Sequence, residues 1–299
     1  MSASFILGSS AIQAENLFVS STGFSTIYKF DTLLGGASQS TFKSGLANPF
    51  GMAFDTSGNL FAAGYGNGSI YKFSNTGTLS STPTTFASGL NNPTALAIDS
   101  NNNVFETDYG SGNLYKFTSG GSQSTFSSST IYSFGLAFDT SGNLFAGNAN
   151  SGRIDKFTSG VQTIFATGLS IPYGLAFDAT GNLFAAGATG TIYKFNNTGT
   201  LSSTPTTFAT GLGELNSVAF DSLGNMYVTR TVNTLNSSQI YKFSNTGTLS
   251  STPTVFASGL DGVLSLAVQP VPEPSTMVLV AGGLSAMWIS MRRRRSPSR

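Results

Sequence analysis

Six positions lie five residues after a recurring asparagine, and they are occupied by Ser21, Gly64, Asp108, Asn148, Gly187 and Arg230. Asp108, Asn148 and Arg230 carry functional groups at places where other copies carry only glycine or serine. Glu106 replaces an alanine two residues before Asp108, Glu214 interrupts a Gly-rich connection, and Glu15 stands just ahead of the first apolar run. Carboxylate and amide oxygens gathered at one place are what a hard divalent cation such as calcium requires. A site built from Glu15, Glu106, Asp108, Asn148, Glu214 and Arg230 would therefore hold a cation or a sugar weakly. The competing reading gives Asp108 and Asn148 the humbler task of capping their own loops. Glu106 with Glu214 is the one pair that would suit glycoside hydrolysis by two acids, which needs them across a cleft.

Other routes to catalysis are closed by composition. The 299 residues include no histidine and no cysteine. Ser-His-Asp hydrolysis, thiol chemistry and disulfide bonding are thereby excluded. No Gly-rich phosphate loop leads from a strand into a helix.

The elements that would position these groups come from internal repetition. Ile-Tyr-Lys-Phe or a close variant occurs at 27–30, 70–73, 114–117, 154–157, 192–195 and 240–243. A second element, Gly-Leu-Ala-Phe-Asp and its variants, ends at Asp55, Asp99, Asp139, Asp178 and Asp221, at intervals of 44, 40, 39 and 43 residues. A period near 40 with four short strands per unit predicts a β-propeller blade. Asp55-Thr56-Ser57-Gly58-Asn59 reads as a tight hairpin in which Asp starts the turn and Gly takes the positive φ. The same turn recurs at 139–143 and 178–182. Both faces of Leu60–Ala63 are apolar, which suits sheets stacked between neighbours. Ala53, Ala97, Ala137, Ala176 and Ala219 form a column of small residues expected on the innermost strand.

The ends predict how the ring closes. The first unit begins at Asn16-Leu17-Phe18-Val19 without its first strand. The last is followed by Val263–Val268, a first strand with no continuation, whose Ala267 falls in the alanine column. This strand is expected to complete the first blade of a six-bladed, all-β ring of four-stranded antiparallel blades, leaving no open edge. The segments 74–90, 196–212 and 244–260 are nearly identical, which duplication explains.

The two ends of the chain read as addresses. Residues 1–14 resemble the back half of a signal peptide, cleavable after Ala11 or Ala14, with its basic start upstream of Met1. Residues 271–299 begin with Val271-Pro272-Glu273-Pro274, continue through an uncharged run to Met291 that includes Trp288, and end on Arg292-Arg293-Arg294-Arg295. As a helix the apolar run would be about 25 Å long, at the short end of what spans a bilayer. The arginines would hold its far end in the cytoplasm, as a stop signal. The body between, 15–270, has nine Lys or Arg against twelve Asp or Glu. That balance argues against nucleic acid, which calls for a basic face.

The tail resembles the PEP-CTERM sorting signal of exopolysaccharide-associated bacterial proteins. The resemblance implies recognition of Val271–Pro274 by an exosortase-type enzyme, transient or lasting anchorage through the helix, and export to the outer surface or extracellular matrix. Asn48-Pro49-Phe50-Gly51-Met52-Ala53-Phe54-Asp55 and Asn150-Ser151-Gly152-Arg153-Ile154 are similar to the repeats of NHL and gluconolactonase-like six-bladed propellers. Such a fold hosts binders and enzymes alike. The expectation is a binding or matrix module without catalysis or cofactor, with exopolysaccharide or another surface protein as partner. The alternative is a metal-dependent, lactonase-like hydrolase with a cation at the channel mouth. The streptogramin-lyase type of propeller relies on histidine, so its chemistry is not available here.

Overall fold

A computed structural model describes residues 15–128, 132–232 and 236–270. They form six four-stranded antiparallel sheets. In chain order, blade 2 spans 49–87, blade 3 spans 93–127, blade 4 spans 133–166, blade 5 spans 172–209 and blade 6 spans 214–260. Blade 1 takes its three outer strands from 16–43 and its innermost strand from Val263–Val268. That strand pairs with Asn16–Ser21 in the register Leu17↔Val268, Phe18↔Ala267 and Val19↔Leu266. The closure expected from the orphan strand is therefore the one the fold uses.

Each hairpin turn is held by its aspartate. Asp55 Oδ1 accepts the amides of Ser57 and Asn59, and Asn59 Nδ2 donates to Asp55 Oδ2 at 2.7 Å. Gly58 takes φ +77 in that turn, and in blade 3 Asn102 fills the same role at φ +62. Asparagine tolerates this left-handed backbone better than other non-glycine residues.

Phenylalanine supplies the contact between blades. Phe86, from the outermost strand of blade 2, packs edge-on to Phe61 of its own blade at 5.0 Å and reaches Phe117 of blade 3 at 6.0 Å. The same bridge recurs at Phe126, Phe165, Phe208 and Phe42, and Phe256 closes the ring between Tyr227 and Phe30. Edge-to-face pairs of this kind contribute about 0.5–1.5 kcal/mol each beyond their buried area. Much of the chain's unusual aromatic content therefore serves the ring rather than a ligand.

The alanine column packs into the clusters between blades, as Ala97 and Ala267 do. The closest approach at the axis lies two residues earlier. A Cβ on Gly51, Gly135 or Gly174 would come within 2.2, 2.1 or 2.7 Å of the neighbouring inner strand. Sequence reasoning placed the small residues on the right strand but singled out the alanines, whereas it is the glycines that let the strands meet.

The expected leader (1–14), sorting residues Val271, Pro272, Glu273 and Pro274, membrane helix and Arg292, Arg293, Arg294 and Arg295 lie outside the described residues. Among the described residues, no helix is long and apolar enough to cross a membrane.

Candidate functional site

The upper face of the ring carries the connections between blades and the loops from second to third strands. The lower face carries the Asp-initiated hairpins. This division separates the residues singled out from sequence. Asp108 and Asn148 end second strands, Arg230 is the penultimate residue of one, and Glu214 begins the first strand of blade 6, so all four lie at the upper end. Glu15 lies at the lower end. Its carbonyl accepts the Thr32 amide at 2.9 Å, and its Oε2 accepts the amide of Ser222 in the hairpin of blade 6 at 2.9 Å. The expectation that Glu15 shares a mouth with Asp108 is corrected by the strand direction, because it precedes a second strand rather than a first.

The upper-face groups engage their own loops. Asp108 is buried and accepts the Asn91 amide at 2.6 Å and the Ser111 amide at 2.9 Å. Asn148 is buried and accepts the Ser151 amide at 3.3 Å. Arg230 turns outward, away from the axis, to donate to Gln239 at 3.0 Å, with its Nε lodged near Gly213 and without an acceptor. Glu106 is buried between blades 2 and 3, in a column otherwise filled by Val19, Ala62, Ala146, Ala185 and Val228. Neither of its oxygens meets a partner at hydrogen-bonding geometry. Burial, and then the charge of Asp108, push its pKa well above the usual carboxylate range, while the nearby Thr94 amide pulls it partly back. No group of three or more acidic side chains that could hold a metal occurs among the described residues.

What the upper face does present is a continuous aromatic surface. Three residues before the alanine column, the innermost strands carry Phe50, Thr94, Phe134, Tyr173, Asn216 and Leu264 in blades 2 to 6 and blade 1. Phe134 lies 5.7 Å from Phe50, 5.7 Å from Tyr109 and 4.9 Å from Tyr173. Tyr65 stacks on Phe50 at 5.3 Å, and Tyr132 meets Tyr109 at 5.3 Å. Five of these six rings are half-buried, and Tyr109 is 38% exposed. Tyr65 and Tyr109 are positioned by their own amides, which donate to the carbonyls of Asn48 and Asn92 at 3.1 Å each. Those two asparagines adopt φ of +48 and +62 just ahead of a proline, and so turn the chain into the inner strand.

Beneath Phe134 the axis narrows to a cavity of about 60 Å³ lined by all six inner strands. Ligand pockets run to roughly 300–1,000 Å³, so a ligand on this face must lie on the rings rather than enter the channel. Burial first, and then the neighbouring Glu214 and Tyr109, raise the pKa of Tyr173 above its ordinary value. Tyr173 is thus a hydroxyl donor facing the rim. Sequence reasoning singled out none of the six residues of this aromatic mouth. Its signal was an aromatic before the small residue in Pro-Phe-Gly-Met-Ala, Ser-Phe-Gly-Leu-Ala and Pro-Tyr-Gly-Leu-Ala, three of six repeats.

A closed six-bladed propeller with an aromatic upper mouth is the class of protein that fold and site define. Residues 270–295 match the PEP-CTERM protein-sorting motif. The motif implies export, processing by an exosortase and membrane-associated sorting to the surface. No curated protein sequence matches the chain. Among solved structures it is similar to a chain of the nidogen/laminin complex, with 18% identity and a TM-score of 0.72 over 86% of this chain and 99% of that one. It is also similar to a gluconolactonase from Xanthomonas campestris, with 18% identity and a TM-score of 0.55 over 73% and 83% of the two chains. Virginiamycin B lyase from Staphylococcus aureus is similar at 12% identity and a TM-score of 0.60, over 86% and 92%. At such identities the likeness establishes the fold alone.

Proposed function

We propose that this protein is an exported, non-catalytic binding module of the bacterial surface, and that its aromatic mouth stacks against the sugar rings of an exopolysaccharide. The observation that carries this reading is the contiguous run Tyr65–Phe50–Phe134–Tyr109–Tyr132 with Tyr173 beside it. The axial face of a pyranose presents C–H groups that pack on the face of an aromatic ring, and tyrosine adds a hydroxyl at the edge. Six rings in contact offer room for more than one sugar, which suits a polymer. The sorting motif supports the same reading, because it implies sorting to the surface, and exopolysaccharide is a surface polymer.

Affinity electrophoresis of the exported protein through gels holding neutral or acidic polysaccharides tests it. Retardation by at least one polymer, lost in Phe134→Ala with the fold intact by circular dichroism, is the expected result. Retardation that survives Phe134→Ala and Tyr109→Ala together would move the site elsewhere.

A further inference from the structure

We propose that a second copy of this protein docks on the lower face, its Leu34 entering the groove between blades 3 and 4. This contact lies on the face opposite the aromatic mouth and does not depend on what the mouth binds. The loops from third to fourth strands line the lower face beside the Asp-initiated hairpins, and they differ among the blades. In blades 2, 5 and 6 they are the near-identical segments 74–83, 196–205 and 244–253. Each sends one leucine, Leu79, Leu201 or Leu249, against the cluster shared with the preceding blade. The chain itself thereby shows that such a seam accepts a leucine borne on a polar loop.

Blades 4 and 1 depart from this in complementary ways. Blade 3 has a shorter turn, 118–122, and blade 4 retains only Ser159 and Gly160 between its third and fourth strands. At the seam of blades 3 and 4 a cavity of about 380 Å³ is lined by Phe105, Phe126, Phe138 and Phe157. Ser159 and Gly160 form its wall where Leu79 and Leu201 stand in the cavities of seams 1/2 and 4/5. Its size is that of a ligand pocket, roughly 300–1,000 Å³, so it has room for a leucine side chain. Blade 1 does the reverse. Its loop, 32–39, lays backbone on blade 6, where a Cβ on Gly36 would strike the Phe256 carbonyl. Its leucines turn outward: Leu33 is 51% exposed and Leu34 72%, the most of any large hydrophobic residue described.

Charge matches as well. Asp31 holds the blade 1 loop by accepting the Leu33 and Leu34 amides at 2.8 and 3.0 Å, so its carboxylate stands beside the leucines. Lys116 stands at the groove with its ammonium 5.3 Å from the centre of the Phe105 ring. Among the described residues neither Asp31 nor Lys116 enters an ion pair, the pair present being Arg153 with Asp155. Docking buries the leucine among the rings and brings Asp31 of one copy to Lys116 of the other at the rim. Each copy carries both halves of the contact.

The chain has no cysteine, so introduced cysteines report the contact without background. Full-length Leu33→Cys and Ser159→Cys, both substituted at exposed positions, are mixed in detergent and treated with a short bis-maleimide. A covalent dimer is expected in the mixture and far less of it in either variant alone. Adding Leu34→Ser to the Leu33→Cys partner should weaken the association about tenfold, as the loss of one buried leucine would. The protein concentration that gives half-maximal cross-linking reads this. Lys116→Glu in the Ser159→Cys partner should weaken it as well. All variants are first matched to the parent by circular dichroism. No cross-linked dimer in the mixture, a yield no higher than in the separate variants, or a yield unmoved by Leu34→Ser overturns the proposal.

Discussion

Phe50 and Phe134 belong to blades that are not neighbours, yet their ring centroids lie 5.7 Å apart. The blade between them contributes Thr94 at the same position of its inner strand. Thr94 is fully buried, and its hydroxyl meets the Thr107 and Ser133 carbonyls at 2.8 and 2.9 Å. A small residue in blade 3 thus lets two rings touch across it and turns separate aromatics into one surface. Thr94→Phe should force the rings apart. We expect it to weaken polysaccharide retention at least as much as Phe134→Ala, with a stability cost of about 1–3 kcal/mol from overpacking. Unchanged retention would show that continuity of the surface does not matter.

Closure by Val263–Val268 should be the most sensitive point of the ring. Leu266 is buried and pairs with Val19. Leu266→Asp places an unpaired charge in the cluster shared by blades 6 and 1. A loss of about 3 kcal/mol or more is expected, read as a lower urea midpoint. In-frame deletion of 263–268 should leave the first blade with an open edge and produce aggregation in sedimentation analysis. A monomeric deletion variant of parental stability would contradict the closure.

Glu106 gives stability a dependence on pH. Its folded pKa is raised by burial and by Asp108. The folded state therefore keeps a proton that the unfolded chain releases, so stability falls as pH rises above the ordinary carboxylate pKa. Glu106→Val, the residue found in this column in blades 1 and 6, should raise stability at neutral pH by about 1–3 kcal/mol. It should gain less at acidic pH, where the unfolded chain is protonated too. Urea midpoints at several pH values check both statements. A variant as pH-sensitive as the parent would place the dependence on another group.

Asp108 is expected to matter for its loop. Asp108→Ala removes the acceptor for two amides, one from the connection between blades and one from its own loop, at a cost of about 1–3 kcal/mol. Calcium and zinc should bring neither heat of binding in calorimetry nor a shift in midpoint. Stoichiometric metal binding abolished by Asp108→Ala would instead favour a metal-dependent hydrolase.

Sorting is tested apart from the propeller. Replacing Pro272, Glu273 and Pro274 together by alanine should leave the protein in the membrane fraction at unprocessed mass. Processing equal to the parent would remove the motif from the recognition step.

The sequence by itself determined the architecture and the destination. The Asp-x-x-Gly-Asn turns, the Ile-Tyr-Lys-Phe strands and the unpaired ends act locally or through fixed periodicity, so the blade count and the closing strand were legible without coordinates. The sorting motif is contiguous and needs no fold to be read. Only tertiary structure decided which residues meet at the mouth. Glu15 was expected to share a mouth with Asp108, but Glu15 precedes a second strand and Asp108 ends one, so the two lie at opposite ends of the blades. Phe50, Phe134 and Tyr109 lie far apart in sequence and come together only because Gly51, Gly135 and Gly174 let the inner strands converge. That convergence depends on packing around a closed ring, which no single repeat encodes.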